Sequence, residues 1–399
     1  MENFETVDSI GQIVRRVFAI EDSTLGGGKE GYLFRYRGHL IGQDSAAAYD
    51  QLTEWLAQYQ LTPLFRMEDG KQVIFIVRSK PVPPPSRPAV NLILFILTLL
   101  SVIWSGWLFS NQTFSSSDIF QNIVQVLQAG WPFAVSLIAI LGIHELGHYF
   151  AGRAHGVHVT LPFFIPLPYT GFGTMGAFIN MKDSPKNKNA LMDIGAAGPL
   201  AGMVVSVIVM AIGLSLSKVE PIPASIPAGQ VFQIEGNSLL YLIMKYLQFG
   251  QLLPTPASYG NLNPILYWIR YFFTGTPSPL GGLDVMISPV AWAGWAGFLV
   301  TSLNLLPAGQ LDGGHIFHLL FGTKTTRMLF PIILVALVLL GFVWNGWWLW
   351  AFLVFLFGRF YAQPLDEITP LDKKRKLIGV IALIVFILTF IPAPITFLF

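Results

Sequence analysis

Long unbroken blocks of apolar residues constrain this chain more than any other feature. Val90 to Phe109 runs without a single charged residue, and roughly 20 such residues are what a helix needs to cross a bilayer core. Soluble helices instead show apolar stripes interleaved with polar positions. The composition agrees: 53% of the 399 residues are hydrophobic and 12% are charged, against about 25% charged in soluble domains. The net charge of +2 is spread along the chain, with no basic face interleaved with aromatics, which excludes nucleic acid as a partner. There is no cysteine. Disulfides and thiolate metal sites are therefore excluded, and any bound metal must rely on His, Asp or Glu.

The fold class is an α-helical polytopic membrane protein with a small α+β N-terminal soluble domain. Residues 1–80 read as that separate domain. Tyr32 to Tyr36 is a strand, and a helix follows Asp44 with Tyr49, Leu52, Leu56 and Tyr59 on one face. Strands at Leu64 to Met67 and Val73 to Val77 flank a turn at Asp69-Gly70. Met1 to Asp22 is acidic and polar, without an apolar signal core, so insertion is expected to begin with the first span. A proline-rich linker, residues 81–89, leads to the membrane domain, residues 90–399.

Seven spans are expected, at about 90–109, 131–152, 190–216, 287–307, 328–343, 346–361 and 377–398. Leu239 to Phe249 and Pro264 to Phe273 are too short to span, and Lys245 and Arg270 suggest that they lie at the interface. With seven spans every basic cluster falls on one side: Arg78, Lys80 and Arg87; Arg153, Lys182, Lys186 and Lys188; Lys324 and Arg327; Lys373 to Lys376. That asymmetry places the N-terminus in the cytoplasm.

Chemistry concentrates in two places. His144, Glu145 and His148 sit inside the second span, where ionisable groups are costly and mark function. The histidines are one helical turn apart, so their imidazoles leave the same face with a spacing that suits zinc. Glu145, beside the first of them, can take a proton from water and pass it to a leaving amine. A third ligand is needed if one position is to stay open. Asp312, just past span four and on the same side as the end of span two, is the candidate, unless it only caps the next helix. Gly313 and Gly314 would let neighbouring backbone come close. Gly171 to Asn180, rich in glycine and alternating apolar residues, reads as a strand whose edge can pair with an extended peptide. The remaining histidines, His155, His158, His315 and His318, lack ligand spacing and read as supporting residues; His39 reads as surface.

These motifs together resemble the site-2 protease family of intramembrane zinc metalloproteases, most closely its cyanobacterial and plastid branch. The likeness rests on His144, Glu145 and His148, and on Asn304, Pro307, Asp312 and Gly313, with Gly309 where many members have a second proline. Gly195 to Gly202 resembles the family's small-residue helix. The resemblance covers about residues 130–320 and implies a three-span catalytic core with a membrane-associated β-hairpin. It implies Zn2+ held by His144, His148 and Asp312, with Glu145 catalytic. Asn304 and the strand from Gly173 through Thr174, Met175, Gly176 and Ala177 to Phe178 would bind substrate. The implied partners are a membrane-protein substrate and the lipid bilayer, the host membrane being plasma membrane or thylakoid. A transporter would show repeated halves, and no internal repeat is evident. An inactive scaffold would not need the intact metal set. The sequence names neither a substrate nor an oligomeric state.

Overall fold

The computed structural model describes residues 2–27, 31–42, 44–81, 88–110, 112–114, 117–227, 231–358 and 361–398. Residues 82–87, most of the proline-rich linker, lie outside them.

Six elements precede the linker: α1 (Glu2–Arg15), β1 (Phe18–Leu25), β2 (Phe34–Leu40), α2 (Ser45–Ala57), β3 (Leu61–Glu68) and β4 (Lys71–Arg78). The strands form one antiparallel sheet in the order β1-β2-β4-β3. Asp44 caps α2 by accepting from the Ala46 and Ala47 N–H groups, which satisfies donors a helix start leaves free. Tyr49, Leu52 and Leu56 are buried as the pattern requires. Tyr59 is 40% exposed, because the helix stops at Ala57 before the next turn can carry it inward. Ile10, Ile13 and Val14 of α1 join the same core. The outer edge of β3 is covered by residues 364–369, with Phe65 N–H donating to Leu365 C=O and Glu367 N–H to Phe65 C=O. The N-terminal sheet is therefore tied to the segment that precedes the last helix.

The rest of the chain runs α3 (Pro88–Phe109), α4 (Ile119–Ala154), β5 (Phe163–Pro166), β6 (Thr174–Phe178), α5 (Lys188–Ser215), β7 (Lys218–Pro221), β8 (Phe232–Glu235), α6 (Leu239–Phe249), α7 (Pro264–Thr274), β9 (Leu283–Met286), α8 (Pro289–Asn304), α9 (Asp312–Leu340), α10 (Gly346–Phe357), α11 (Lys373–Thr389) and β10 (Ile395–Leu398). Four of these, α3, α4, α5 and α9, are long and apolar enough to cross a membrane. They leave large apolar side chains such as Leu92, Ile93, Ile208 and Ile332 exposed, the surface expected against lipid.

Helix limits differ from the sequence expectation in three places. The second helix starts at Ile119, twelve residues before the expected 131. α9 begins at Asp312 and is interrupted at Gly322, whose φ of 79° and ψ of 171° are non-helical. The last helix stops at Thr389, because Pro392 and Pro394 cannot continue it, and residues 395–398 pair instead with β8. Helices α8, α10 and α11 have 16, 12 and 17 residues, short for a span. α8 is buried on nearly all sides, with Trp292, Trp295 and Phe298 in the main apolar core.

Between α5 and α8 lies a polar staple. Lys245 was expected at the interface, yet it is wholly buried. Its ammonium sits 3.6 Å from Asp284 Oδ1 and 4.4 Å from the Tyr241 ring centroid. The Tyr241 hydroxyl donates to Glu235 at 2.8 Å. A buried cation facing carboxylates and an aromatic face is better compensated than one in the headgroup region beside none. Burial first, and then the neighbouring Asp284 carboxylate, push Glu235 from its ordinary 4.5 up to about 7. The folded state thus holds that proton more tightly than the unfolded chain. The stability this contributes is present below about pH 4.5 and is lost as pH rises through about 7. Lys245→Met should remove the only ammonium from the staple and cost about 3–5 kcal/mol, read as a lower melting temperature in detergent. The loss should shrink as pH falls below 7, where Glu235 takes up its proton. An unchanged melting temperature at neutral pH would contradict the staple.

Candidate metal centre

α4 carries His144 and His148 one turn apart, both buried, with their Nε2 atoms 3.3 Å from each other. The second imidazole is held from behind, its Nδ1 lying 2.7 Å from the Ile194 carbonyl oxygen on α5. A carbonyl can only accept, so Nδ1 carries the proton and Nε2 presents its lone pair.

The room for these rings comes from α5. A Cβ on Gly198 would lie 2.1 Å from His148 Nε2, and one on Gly202 would lie 3.0 Å from His144 Cβ. Gly147 of α4 faces the Ala197 carbonyl oxygen with the same lack of space. The small-residue run 195–202 is thus the wall against which both imidazoles are packed.

The third group arrives from the loop between α8 and α9. Asp312 is the first residue of α9, and among the described residues its carboxylate makes no bond to its own helix. Its Oδ2 lies 3.6 Å from His144 Nε2 and 3.3 Å from His148 Nε2. Close backbone contacts set this loop: a Cβ on Gly313 would meet Leu305 C=O at 2.0 Å, and one on Gly314 would meet Gly309 C=O at 2.4 Å. Gly309 has φ +59°, a conformation that the fixed negative φ of proline forbids. The glycine at this position therefore carries a backbone turn that a proline could not make. Asn304, at the end of α8, places its Nδ2 3.3 Å from His144 Nε2.

The three ligand atoms lie within 4.8 Å of one another. Ligands about 2.0–2.2 Å from a tetrahedral zinc lie about 3.3–3.6 Å apart. The observed separations of 3.3, 3.3 and 3.6 Å match the edges of such a tetrahedron. Two imidazoles and one carboxylate without any thiolate are also a donor set that zinc accepts, with a fourth position left over. A cavity of about 250 Å3 opens on these atoms and is lined also by Glu145, Asn304, Gln310 and His315. Glu145 is buried, and Ile179 lines the same cavity beside it.

The stretch 171–180 contains β6, which pairs antiparallel with β5, and no other strand among the described residues joins that two-stranded sheet. The candidate substrate residues divide along it. Ala177 and Phe178 line the cavity beside the metal ligands, and Met175 and Phe178 are exposed. Gly173 lies at the turn end, where its carbonyl accepts from the Ser101 hydroxyl of α3. The Thr174 hydroxyl donates to the Ile165 carbonyl, so this residue fastens the hairpin. Gly176 pairs with Ile165.

Of the other histidines, His155 is 2.9 Å from Asp193 and His158 is 2.5 Å from Asp183, both turned to carboxylates. His315 lines the metal cavity and its Nδ1 accepts from Ala362 N–H. His318 stacks on Tyr361 instead. The sequence reading did not single out Ile179, Gln310 or Ile194. Gln310 could have been suspected from its place two residues before Asp312. Ile194 acts through its backbone carbonyl, which side-chain patterns do not reveal.

The profile of Peptidase family M50 matches residues 132–343, a stretch that contains every residue of this centre. Among curated proteins the chain is similar to "Probable zinc metalloprotease EGY2, chloroplastic" of Arabidopsis thaliana, 28% identical over 371 residues. That match covers 91% of this chain and 60% of the relative. It is also similar to "Probable zinc metalloprotease EGY1, chloroplastic" of the same plant, 30% identical over 349 residues, covering 81% of this chain and 57% of the relative. The chain thus spans about three fifths of the length of these relatives. No solved structure matches it.

Gly198→Ala should displace the His148 ring and weaken zinc binding about 10- to 100-fold, the usual effect of disturbing a ligand's support. Gly195→Ala is the control, since its nearest new neighbour would be Ile316 at 4.0 Å. Metal per chain measured by elemental mass spectrometry distinguishes the two; equal zinc in both variants would contradict the packing argument.

Proposed function

Because the chain belongs to peptidase family M50, we propose that it is an intramembrane zinc endopeptidase, cutting peptide bonds in or beside the transmembrane segments of other membrane proteins. One observation carries the reading. His144, His148 and Asp312 converge on one point, with Glu145 and a strand that has one partner among the described residues at the same cavity, and α4, α5 and α9 are apolar enough to lie in a bilayer.

The roles follow from placement. His144, His148 and Asp312 hold the metal. When bound, zinc makes water acidic enough to yield a proton near neutral pH and polarises a peptide carbonyl. Glu145 accepts that proton and delivers it to the leaving amine. It stands next to a ligand on the same helix turn and lines the cavity on which the ligand atoms open. Asn304, whose Nδ2 lies 3.3 Å from the ligand atom Nε2 of His144, stands at the edge of the metal position, where its amide can donate to the substrate backbone. Ala177 and Phe178 border the scissile segment, and Met175 and Gly176 extend the same edge outward.

A transmembrane helix keeps its peptide bonds inside its own hydrogen-bond ladder. The substrate must be drawn into an extended form before any carbonyl can be attacked. A strand edge supplies replacement partners for the freed backbone groups, and β6 offers one beside the metal ligands.

The finer topology belongs to the same proposal. α8, α10 and α11 complete seven crossings, α8 shielded from lipid by α4 and α5. The basic clusters then lie on the cytoplasmic side with the N-terminus.

Glu145→Gln should retain about one zinc per chain and lower the cleavage of a single-span reporter in proteoliposomes about 10²- to 10⁴-fold. Full activity in that variant would remove Glu145 from the mechanism.

A further inference from the structure

The break in α9 at Gly322 divides the helix into two segments, and a cavity of about 1020 Å3 is lined from both. Its lining combines two kinds of surface. Phe330, Pro331 and Leu334 come from the second segment and are apolar. Lys188, at the start of α5, and Arg327 of α9 are cationic. Neither makes an ion pair within 4 Å among the described residues. His318 also lines the cavity, and its buried Nδ1 has no hydrogen-bond partner among the described residues. The one carboxylate in the lining, Glu367, is 3.9 Å from Arg66. Burial raises the Glu367 carboxyl above its ordinary range, which weakens its opposition to an anion.

We propose that this cavity holds one anionic phospholipid, with its phosphate against Lys188 and Arg327 and its acyl chains along Phe330, Pro331 and Leu334. Charge complementarity argues for the headgroup. Two cations that make no ion pair within 4 Å among the described residues, only Lys188 of them feeling the more distant Glu367 carboxylate, stand where an apolar helix surface begins and attract a phosphate more strongly than they would in open water. The apolar wall argues for the tail. A free phosphate would leave Pro331 and Leu334 wet, and a neutral apolar guest would leave Arg327 without a counter-ion. A phospholipid meets both requirements, and a membrane protein is surrounded by it. The basic clusters that the sequence assigns to the cytoplasmic side include both cations, and basic pockets between helices on that side suit anionic headgroups. The occupant would fill the space beside the break in the helix whose first residue is Asp312.

The test uses the full chain in nanodiscs containing equal phosphatidylglycerol and phosphatidylcholine, then native mass spectrometry after release into mild detergent. Wild type should keep one phosphatidylglycerol in preference to phosphatidylcholine. Lys188→Gln with Arg327→Gln should retain it roughly tenfold less. Leu334→Trp, which fills the apolar wall but spares both cations, should lose it as well. Zinc content and melting temperature identify any variant that has misfolded. Equal retention of the two lipids by wild type overturns the proposal, independently of any variant. Unchanged retention in the folded double variant overturns it too. Displacement of the lipid by millimolar inorganic phosphate, or full retention in Leu334→Trp, would mean a free-anion site and would overturn the lipid assignment.

Discussion

The contact between α4 and α5 without intervening side chains is what the rest of this molecule depends on. Two imidazoles can occupy the space between these helices only because Gly198 and Gly202 have no Cβ there. The same contact lets the Ile194 carbonyl reach His148 and hold its tautomer. In lipid there is no hydrophobic drive between helices, so close backbone packing and polar contacts must supply the association. The glycine run does both tasks at once, seating the ligands and bringing the helices together. The loop between α8 and α9 then needs its own tight turns, at Gly309, Gly313 and Gly314, to carry Asp312 to the same depth.

The hairpin of β5 and β6 connects this centre with the rest of the fold. At its turn it is fastened to α3 through Ser101 and Ser105, which donate to the carbonyls of Gly173 and Thr170. At its other end Ala177 and Phe178 reach the metal cavity. The hairpin is thus fixed at its turn and reaches the candidate ligands at its other end. The buried staple of Lys245, Asp284, Glu235 and Tyr241 stands beyond the hairpin turn, and a cavity of about 600 Å3 is lined by Thr170 together with Glu235 and Asp284.

The convergence of the three candidate ligands was legible in the sequence because metal chemistry restricts such residues to few types at helical spacing. His144 and His148 declare themselves by their interval, and Asp312 by its glycine-rich surroundings. Four long apolar helices were legible from apolar block length, though not all of their limits, and α2 from its cap and its buried face. What could not be read depends on partners distant in sequence. Lys245 looks like an interfacial lysine until Asp284 is brought beside it. The edge of β3 is completed by residues 364–369, some 300 positions away. Gly173 and Thr174 share a strand pattern with Ala177 and Phe178, and only the packing of α3 separates fastening from lining. α1 and β1 were missed although Ile10, Ile13 and Val14 have helical spacing, because the polar composition of that stretch concealed a short apolar face.

The central claim is that one zinc is shared between α4 and the start of α9. The direct test is the metal content of purified wild type and Asp312→Ala, measured per chain by elemental mass spectrometry on samples shown to be folded by their melting transitions. About one zinc in wild type and loss of most of it in the variant is the predicted result. Unchanged zinc in Asp312→Ala, or none in folded wild type after supplementation, would contradict the account.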